Sequence, residues 1–320
     1  MHELSFIEGQ AEFAYLESDG LAWHGHGQAV KDNQPLEAWL AASNMGNWNI
    51  VSRPLLASVD GVMHLIDNKK SLHRSDNHQH LSIVSNGYNL VQPREVVEFF
   101  KSTIETLGFQ LATCGVLFGG RRYWAMANIG QSVNILGKDR VDGKLLFSTS
   151  CDGTLASTVQ YTTVRVVCNN TLRMATANQN DSVRITHGAK FDADEVKNIL
   201  GLNNNRLGEF QKLAELTASY KLNSEQALEF FTKALSLSTD EEVDHTKKQS
   251  IKALMTLFNG QAKGSDVAPN SLWQAVNAVT EYVDHHRATS TIDHRQDSAL
   301  FGTWAKVKDR AWDEAIILAA

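Results

Sequence analysis

Cations and aromatic rings stand side by side near residue 120, and together these groups could bind a nucleic acid. Arg121 and Arg122 are followed directly by Tyr123 and Trp124. Arginine side chains can neutralise backbone phosphates, and aromatic rings can stack on bases. Alternation along a strand would place Arg121 and Tyr123 on one face and Arg122 and Trp124 on the other, so at most one pair can face a shared ligand. The alternative is a solvent-exposed arginine pair beside two core aromatics.

A second group of cations and amides follows a valine-rich, strand-prone segment. Arg165 precedes Asn169 and Asn170, and Arg173 comes three residues later. This pattern predicts a corner between a strand and a helix, where helix N-terminal amides and flanking arginines suit a phosphate. In the alternative, Asn170 or Thr171 only caps the helix, but two amides and two cations exceed what a cap requires. The complete set of predicted nucleic-acid-binding residues is Arg74, Arg121, Arg122, Tyr123, Trp124, Lys144, Arg165, Asn169, Asn170 and Arg173.

Histidine-rich segments offer a metal site as the competing interpretation. Zinc sites often combine histidine with thiolate ligands, but no thiolate neighbours these histidines and no HExxH pattern occurs. We therefore predict no metal ligand and no cofactor, and we expect Arg74 to pair with Asp76 or to contact a ligand in a hydrogen-bonded loop. The candidate groups are His24 with His26, His73 with His78 and His80, and Asp284 with His285, His286 and His294.

Features of nucleophilic catalysis are weak in this sequence. It contains no GxSxG pattern, and its three cysteines, Cys114, Cys151 and Cys168, form no CxxC pair. We expect reduced and buried thiols, and burial of Cys168 in an apolar strand would raise its thiol pKa. Binding is therefore favoured over catalysis, although an enzymatic function stays open.

Charge is distributed unevenly along the 320 residues. The formal net charge is −6, which argues against indiscriminate coating of nucleic acid, yet residues 118–190 hold nine basic and four acidic residues, an excess of +5. Such segregation predicts a basic face on an acidic protein. No apolar run approaches the ~20 residues that cross a bilayer, and the first twenty residues lack the pattern of a signal peptide. These features predict a cytoplasmic protein without a membrane partner.

Strands joined by tight turns are predicted to position the candidate residues. Asp142-Gly143 and Asp152-Gly153 are typical hairpin dipeptides, because glycine accepts the positive φ of a tight turn. An early proline, an apolar face and a terminal glycine predict a helix over 93–108. The later part of the chain has helical periodicity, and the helices predicted there cover 192–200, 206–220, 224–235, 240–258, 271–286 and 298–319.

This order of elements predicts an α+β fold, with a central antiparallel β-sheet, flanking helices and a mostly helical C-terminal region. We assign residues 1–190 to an α+β core domain with a basic sheet, and residues 191–320 to the helical region. Residues 260–270 are the best candidate for a loop or hinge, because glycine, proline and small polar residues cluster there.

Several strings of the sequence resemble the phage/plasmid-like proteins, a family of unknown function found in prophages, phages and conjugative plasmids. The resemblance covers nearly the whole chain and implies work on DNA, although His26 departs from the small or aliphatic residue expected in the first string. The order of helix, hairpins and helix is also similar to the core of single-strand annealing proteins, which is a fold-level analogy. The strings are WHGHG (23–27), HRSDNHQHLSIVSNGYNLVQPREVVEFF (73–100), VRVVCNNTLRMA (164–175), WQAVNAVTEYVDHHR (273–287) and SALFGTWAKVKDRAW (298–312).

Residues and resemblance together predict a single-stranded-DNA-binding protein of a mobile genetic element. It would act without ATP in strand annealing, recombination or DNA protection, and its partners would be single-stranded DNA and copies of itself in a ring or filament. The alternative is a metal-dependent nuclease, or an antagonist of host defence, that uses the histidine-rich loop.

Overall fold

The chain forms two compact units in a computed structural model, and each unit is built from several chain segments. Unit 1 comprises Met1–Gly130, Leu145–Gln160 and Ser182–Leu202, and unit 2 comprises Gln131–Lys144, Tyr161–Asp181 and Asn203–Ala320. The structure describes residues 5–7, 9–20, 26–165, 170–173, 182–187, 192, 194–195, 198, 206–236, 245–289 and 292–320. Strands and helices both contribute extensively, so the fold is α+β as predicted.

Thirteen strands lie within the described residues, and most join one mixed sheet. The order in that sheet is β12-β11-β10-β9-β8-β3-β4, and β13 also pairs with β11. The strands are β1 (Phe6–Ile7), β2 (Gln10–Ala11), β3 (Phe13–Leu16), β4 (Gln28–Val30), β5 (Ile50–Val59), β6 (Val62–Arg74), β7 (His80–Ser85), β8 (Gln110–Leu117), β9 (Arg122–Ile135), β10 (Asp139–Ser150), β11 (Ser157–Arg165), β12 (Asn170–Arg173) and β13 (Ser182–Ile185).

The turn between β9 and β10 differs from the prediction. Asp142-Gly143 lies inside β10, and the chain instead turns at Leu136 and Gly137, with φ of 51° and 70°. Gly137 N donates to Asn134 O over 3.2 Å and closes the turn. The earlier turn lets both Ile135 and Val141 enter the core, so burial outweighs the local preference of Asp-Gly. Asp152-Gly153 does lie in the connection between β10 and β11.

The predicted helix after residue 169 is also wrong. Asn170–Arg173 forms β12, antiparallel to β11, with Arg165 opposite Asn170 and Thr162 opposite Arg173. The backbone of β11 at 162–165 needs hydrogen-bond partners, and a paired strand supplies them in register. This pairing outweighs the local preference of Asn170 for a helix cap.

In the described residues before Gly108, unit 1 has three short α-helices: α1 (Leu36–Ala42), α2 (Pro93–Glu98) and α3 (Lys101–Leu107). The prediction of a helix over 93–108 is confirmed, apart from a break between α2 and α3. Gln92 and Glu95 form a capping box at its start, and Gly108 ends it with a φ of 69°.

A separate three-stranded sheet, in the order β5-β6-β7, also belongs to unit 1. Strand β7 pairs with residues 69–73 of β6, whereas β5 pairs with β6 up to the turn at Asp60 and Gly61. Residues 54–67 therefore form a two-stranded extension, which we call the β5–β6 ribbon.

Unit 2 contains the helices α4 (Arg206–Ser219), α5 (Ser224–Ala234), α6 (His245–Thr256), α7 (Leu272–Glu281), α8 (Ile292–Leu300) and α9 (Thr303–Ala319). Every residue of α7 is buried, because α4, α5, α6, α9 and β12 all pack against it. Phe210, Trp273 and Trp312 form an aromatic cluster with ring centres 5.3–6.2 Å apart. None of the helices in the described part of the chain has the length and hydrophobicity required to cross a bilayer.

Candidate nucleic-acid interface

Arg74 is buried between two carboxylates. Its Nη2 lies 2.8 Å from both Glu12 Oε1 and Asp76 Oδ2, and its guanidinium lies 3.9 Å from the centre of the Trp48 ring. Burial opposes the charge, but the hydrogen bonds that Arg74 donates to Glu12 and Asp76 outweigh burial and raise the pKa of Arg74. The predicted pairing with Asp76 is confirmed. However, this side chain is 1% exposed, so it does not lie on a surface that DNA could contact.

Tyr123 and Trp124 both lie in the core. This agrees with the alternative interpretation of the sequence, in which the two aromatics belong to the core. Tyr123 is fully buried and donates its hydroxyl to Val91 O, and its ring meets Trp48 edge-on at 6.5 Å. The Trp124 ring packs against Phe13 at 5.8 Å. The expected alternation of buried and exposed residues fails here because β9 is covered on both faces, so neither ring offers a surface for stacking on bases.

The remaining predicted nucleic-acid-binding residues are Lys144, Arg165, Asn169, Asn170 and Arg173. Lys144 is buried in β10, where residues 143–150 are all buried, and it therefore offers no surface charge to a phosphate. Asn169 lies outside the described residues. Arg165, Asn170 and Arg173 lie in paired strands, so the anion site expected at a helix N-terminus is wrong.

Arg121 and Arg122 lie beside the loop that joins β10 to β11, residues 151–155. Cys151 N donates to Arg121 O over 2.9 Å, and Arg122 Nη2 donates to Thr154 Oγ1 over 2.6 Å. Arg121 is exposed and forms no ion pair with a described residue. The structure therefore leaves one of the two predicted arginines available to an anion.

Tyr88 and His187 stack on each other at the same loop. Their ring centres are 4.4 Å apart and their planes differ by 20°. The Tyr88 hydroxyl donates to Ser150 O over 3.1 Å and accepts from Gly153 N over 3.2 Å, and His187 Nε2 lies 2.9 Å from Leu155 O. Both rings are only partly buried. We call Arg121, Arg122, Tyr88, His187 and residues 151–155 the loop site, which lies wholly in unit 1.

Within the loop site, the charges of Arg122 and Asp152 favour each other. Burial lowers the pKa of Arg122, although the charge of Asp152 partly compensates. For Asp152, burial opposes ionisation, but hydrogen bonds from Thr154 outweigh it and lower the carboxyl pKa. Burial raises the pKa of the Cys151 thiol to about 12, so this cysteine is a poor nucleophile. The site is suited to holding an anion and flat rings rather than to attacking a substrate.

Sequence reasoning missed Tyr88 and His187. Tyr88 directly follows the Asn86-Gly87 turn and lies outside any strand, so strand patterning gave it no role. His187 follows β13, which reaches the loop only because it pairs with β11, with Ser157 opposite Ile185. No spacing in the sequence links these two residues.

Several of the candidate histidines contact neighbouring side chains. His73 contacts Ser71 Oγ at 2.8 Å and meets the His80 ring at 5.3 Å, whereas His286 lies 3.3 Å from Glu281. Among the described residues, no three His, Cys, Asp or Glu side chains are grouped to hold a metal ion. Cys114 and Cys151 are free thiols and buried, as predicted, whereas His24 and Cys168 lie outside the described residues.

Comparison with protein-family models gives one match, a domain of unknown function, DUF932, over residues 80–301. This range contains the whole loop site and much of both units. No curated protein and no solved structure matches the chain.

Proposed function

We propose that this chain, which belongs to the DUF932 family, is a single-stranded-DNA-binding protein whose loop site contacts the strand. The observation that carries the proposal is the stacked Tyr88–His187 pair beside the exposed Arg121. Unpaired bases expose their faces, and each base stacked on an aromatic ring contributes ~1–3 kcal/mol of binding free energy. Arg121 supplies the charge for a neighbouring phosphate.

The preference for a single strand follows from the chemistry of the rings. Bases in a duplex are stacked on one another, so a tyrosine or histidine ring reaches a base face only where the strands are apart. The negative net charge of −6 supports local contact over indiscriminate coating of a duplex.

The biological setting extends the proposal. The resemblance to phage/plasmid-like proteins supports a role in a mobile genetic element, in the cytoplasm, in strand annealing, recombination or DNA protection. Annealing requires that two strands be held side by side, which fits a protein that forms a ring or filament from copies of itself.

The test compares two substitutions at one position. Tyr88→Phe and Tyr88→Leu both remove the hydroxyl bonds to Ser150 and Gly153, but only Tyr88→Phe keeps the aromatic face. We expect binding of a fluorescent oligothymidine, measured by anisotropy in EDTA, to be about tenfold weaker for Tyr88→Leu than for Tyr88→Phe. Equal affinities of the two variants would contradict stacking at this site.

The same assay separates DNA binding from the alternative function. Wild-type protein that binds no oligonucleotide even at low salt would refute the proposal. Cleavage of DNA that requires added Mg²⁺ or Mn²⁺ and is lost in His73→Ala would instead favour a metal-dependent nuclease.

A further inference from the structure

The β5–β6 ribbon exposes large apolar side chains on both of its faces. Leu56 and Leu65 are cross-strand partners, as are Val59 and Val62, and alternation puts these two pairs on opposite faces. Leu56, Val59, Val62, Met63 and Leu65 are each 51–59% exposed. An apolar patch of this kind marks a surface that another molecule covers.

Charges occupy the two ends of the ribbon with opposite sign. Asp60 lies at the turn, whereas Arg53 and Lys69 lie at the base, and all three are exposed and form no ion pair with a described residue. Asp67 also lies at the base and offsets part of its positive charge. The Leu56–Leu65 pair lies midway between the acidic and basic ends, since it is four residues from Asp60 and three from Arg53 along β5.

The charges and the apolar centre of the β5–β6 ribbon are complementary to those of a second ribbon rotated about a two-fold axis. If a second ribbon runs antiparallel to the first about a two-fold axis at Leu56–Leu65, the apolar centres meet and each Asp60 approaches the Arg53 and Lys69 of the other copy. A two-fold contact requires such a patch, which matches its own rotated image. By contrast, the acidic turn disfavours a lipid bilayer or a phosphate backbone, because Asp60 would be the first charge to meet either.

We propose that the β5–β6 ribbon is a self-association surface, and that it packs antiparallel against the ribbon of a second copy of this chain. This inference is independent of DNA binding by the loop site. Of the five exposed apolar side chains, Leu56, Met63 and Leu65 share the face that would enter this contact, so the buried area is below the standard size of a stable interface. The expected contact is therefore reversible, with a dissociation constant in the micromolar range.

Sedimentation velocity on the full chain tests the apolar centre. At a protein concentration of about 100 μM, a contact with a micromolar dissociation constant is nearly saturated. Replacing both leucines, Leu56→Ser with Leu65→Ser, should raise the dissociation constant by about tenfold or more. The matched control is Ile317→Ser, because Ile317 is 69% exposed in α9 and its substitution should leave self-association unchanged. Circular dichroism spectra of all variants check that the ribbon still folds.

Charge reversal tests the antiparallel arrangement. Asp60→Arg and Arg53→Asp should each raise the dissociation constant, about threefold to tenfold because the two-fold axis doubles each change. Their combination should restore the wild-type value, since each reversed Asp60 position again meets an opposite charge.

Other outcomes would overturn the inference. A wild-type chain that stays monomeric at about 100 μM, or self-association that the leucine substitutions do not change, would each refute it. If the leucine variant loses binding to phosphatidylserine vesicles or to DNA while its self-association is unchanged, the ribbon contacts that ligand instead. Failure of the loop-site proposal appears separately, as equal DNA affinities of Tyr88→Phe and Tyr88→Leu.

Discussion

Arg74 and Arg121 both lie in unit 1, yet they have opposite surroundings. Arg74 is enclosed by Glu12, Asp76 and Trp48, whereas Arg121 is exposed beside the 151–155 loop. The difference arises from carboxylates: Glu12 lies 62 residues from Arg74 in the sequence and neutralises it in the core. Whether an arginine can bind a ligand thus depends on partners that its own sequence neighbourhood does not show.

The largest effect is expected from removing the buried cation of Arg74. Arg74→Leu leaves the Glu12 carboxylate, which is 1% exposed, buried without its partner. Loss of one member of a buried ion pair destabilises proteins by ~3–5 kcal/mol, and we expect a decrease of that size in the free energy of unfolding, measured by urea denaturation. Arg140→Ala is the control, because Arg140 is 60% exposed in its pair with Asp142. A decrease below ~1 kcal/mol would mean that the Arg74 pair contributes no more than a surface pair.

The exposed arginine should show the opposite pattern. Arg121→Ala should change the free energy of unfolding by no more than ~0.5 kcal/mol, because its side chain is exposed and forms no ion pair with a described residue. Its affinity for single-stranded DNA should fall, and the slope of log affinity against log salt should decrease by ~0.7, the value for one phosphate contact. An unchanged slope would remove Arg121 from the interface even if the protein binds DNA elsewhere.

The smallest expected effect is on the stability of the protein in acid, to which both Asp76 and Asp152 contribute. For both carboxyls burial opposes ionisation. For Asp76, the hydrogen bond and charge of Arg74 outweigh burial and lower the pKa. For Asp152, the hydrogen bonds from Thr154 outweigh burial and lower the pKa. A lowered folded-state pKa stabilises the protein above the unfolded value, ~3.9. This stabilisation is lost as the pH falls through the folded-state pKa.

Asp76→Asn and Asp152→Asn should each reduce the loss of stability between about pH 5 and pH 3. Urea midpoints at the two pH values measure this dependence. Unchanged pH dependence in both variants would show that other carboxyls account for the acid sensitivity.

Local signals in the sequence were sufficient for much of the fold. The helix over 93–108 was predicted from its proline, its apolar face and Gly108, all of which act within a few turns. Most helices of unit 2 were predicted for the same reason. The turn at Leu136 and strand β12 were missed because tertiary burial and strand pairing outweighed the local preferences of Asp-Gly and Asn.

The candidate site was only partly predictable. The sequence pointed to Arg121 and Arg122, but it could not show that sheet packing buries Tyr123 and Trp124 on both faces of β9. Tyr88 and His187 meet only through the pairing of β13 with β11. A contact that depends on strand order has no counterpart in residue spacing.

The aromatic cluster of unit 2 has a consequence for synthesis on the ribosome. Phe210 and Trp273 need Trp312 to complete their packing, whereas the last described strand of unit 1 is complete at Ile185. At ~5–20 residues per second, several seconds pass between the emergence of these two points. During that interval α7, which buries every one of its residues in the finished fold, emerges without α9 to cover it. Nascent chains of this protein therefore expose an apolar helix, and chaperones that bind such segments have their longest opportunity at this stage.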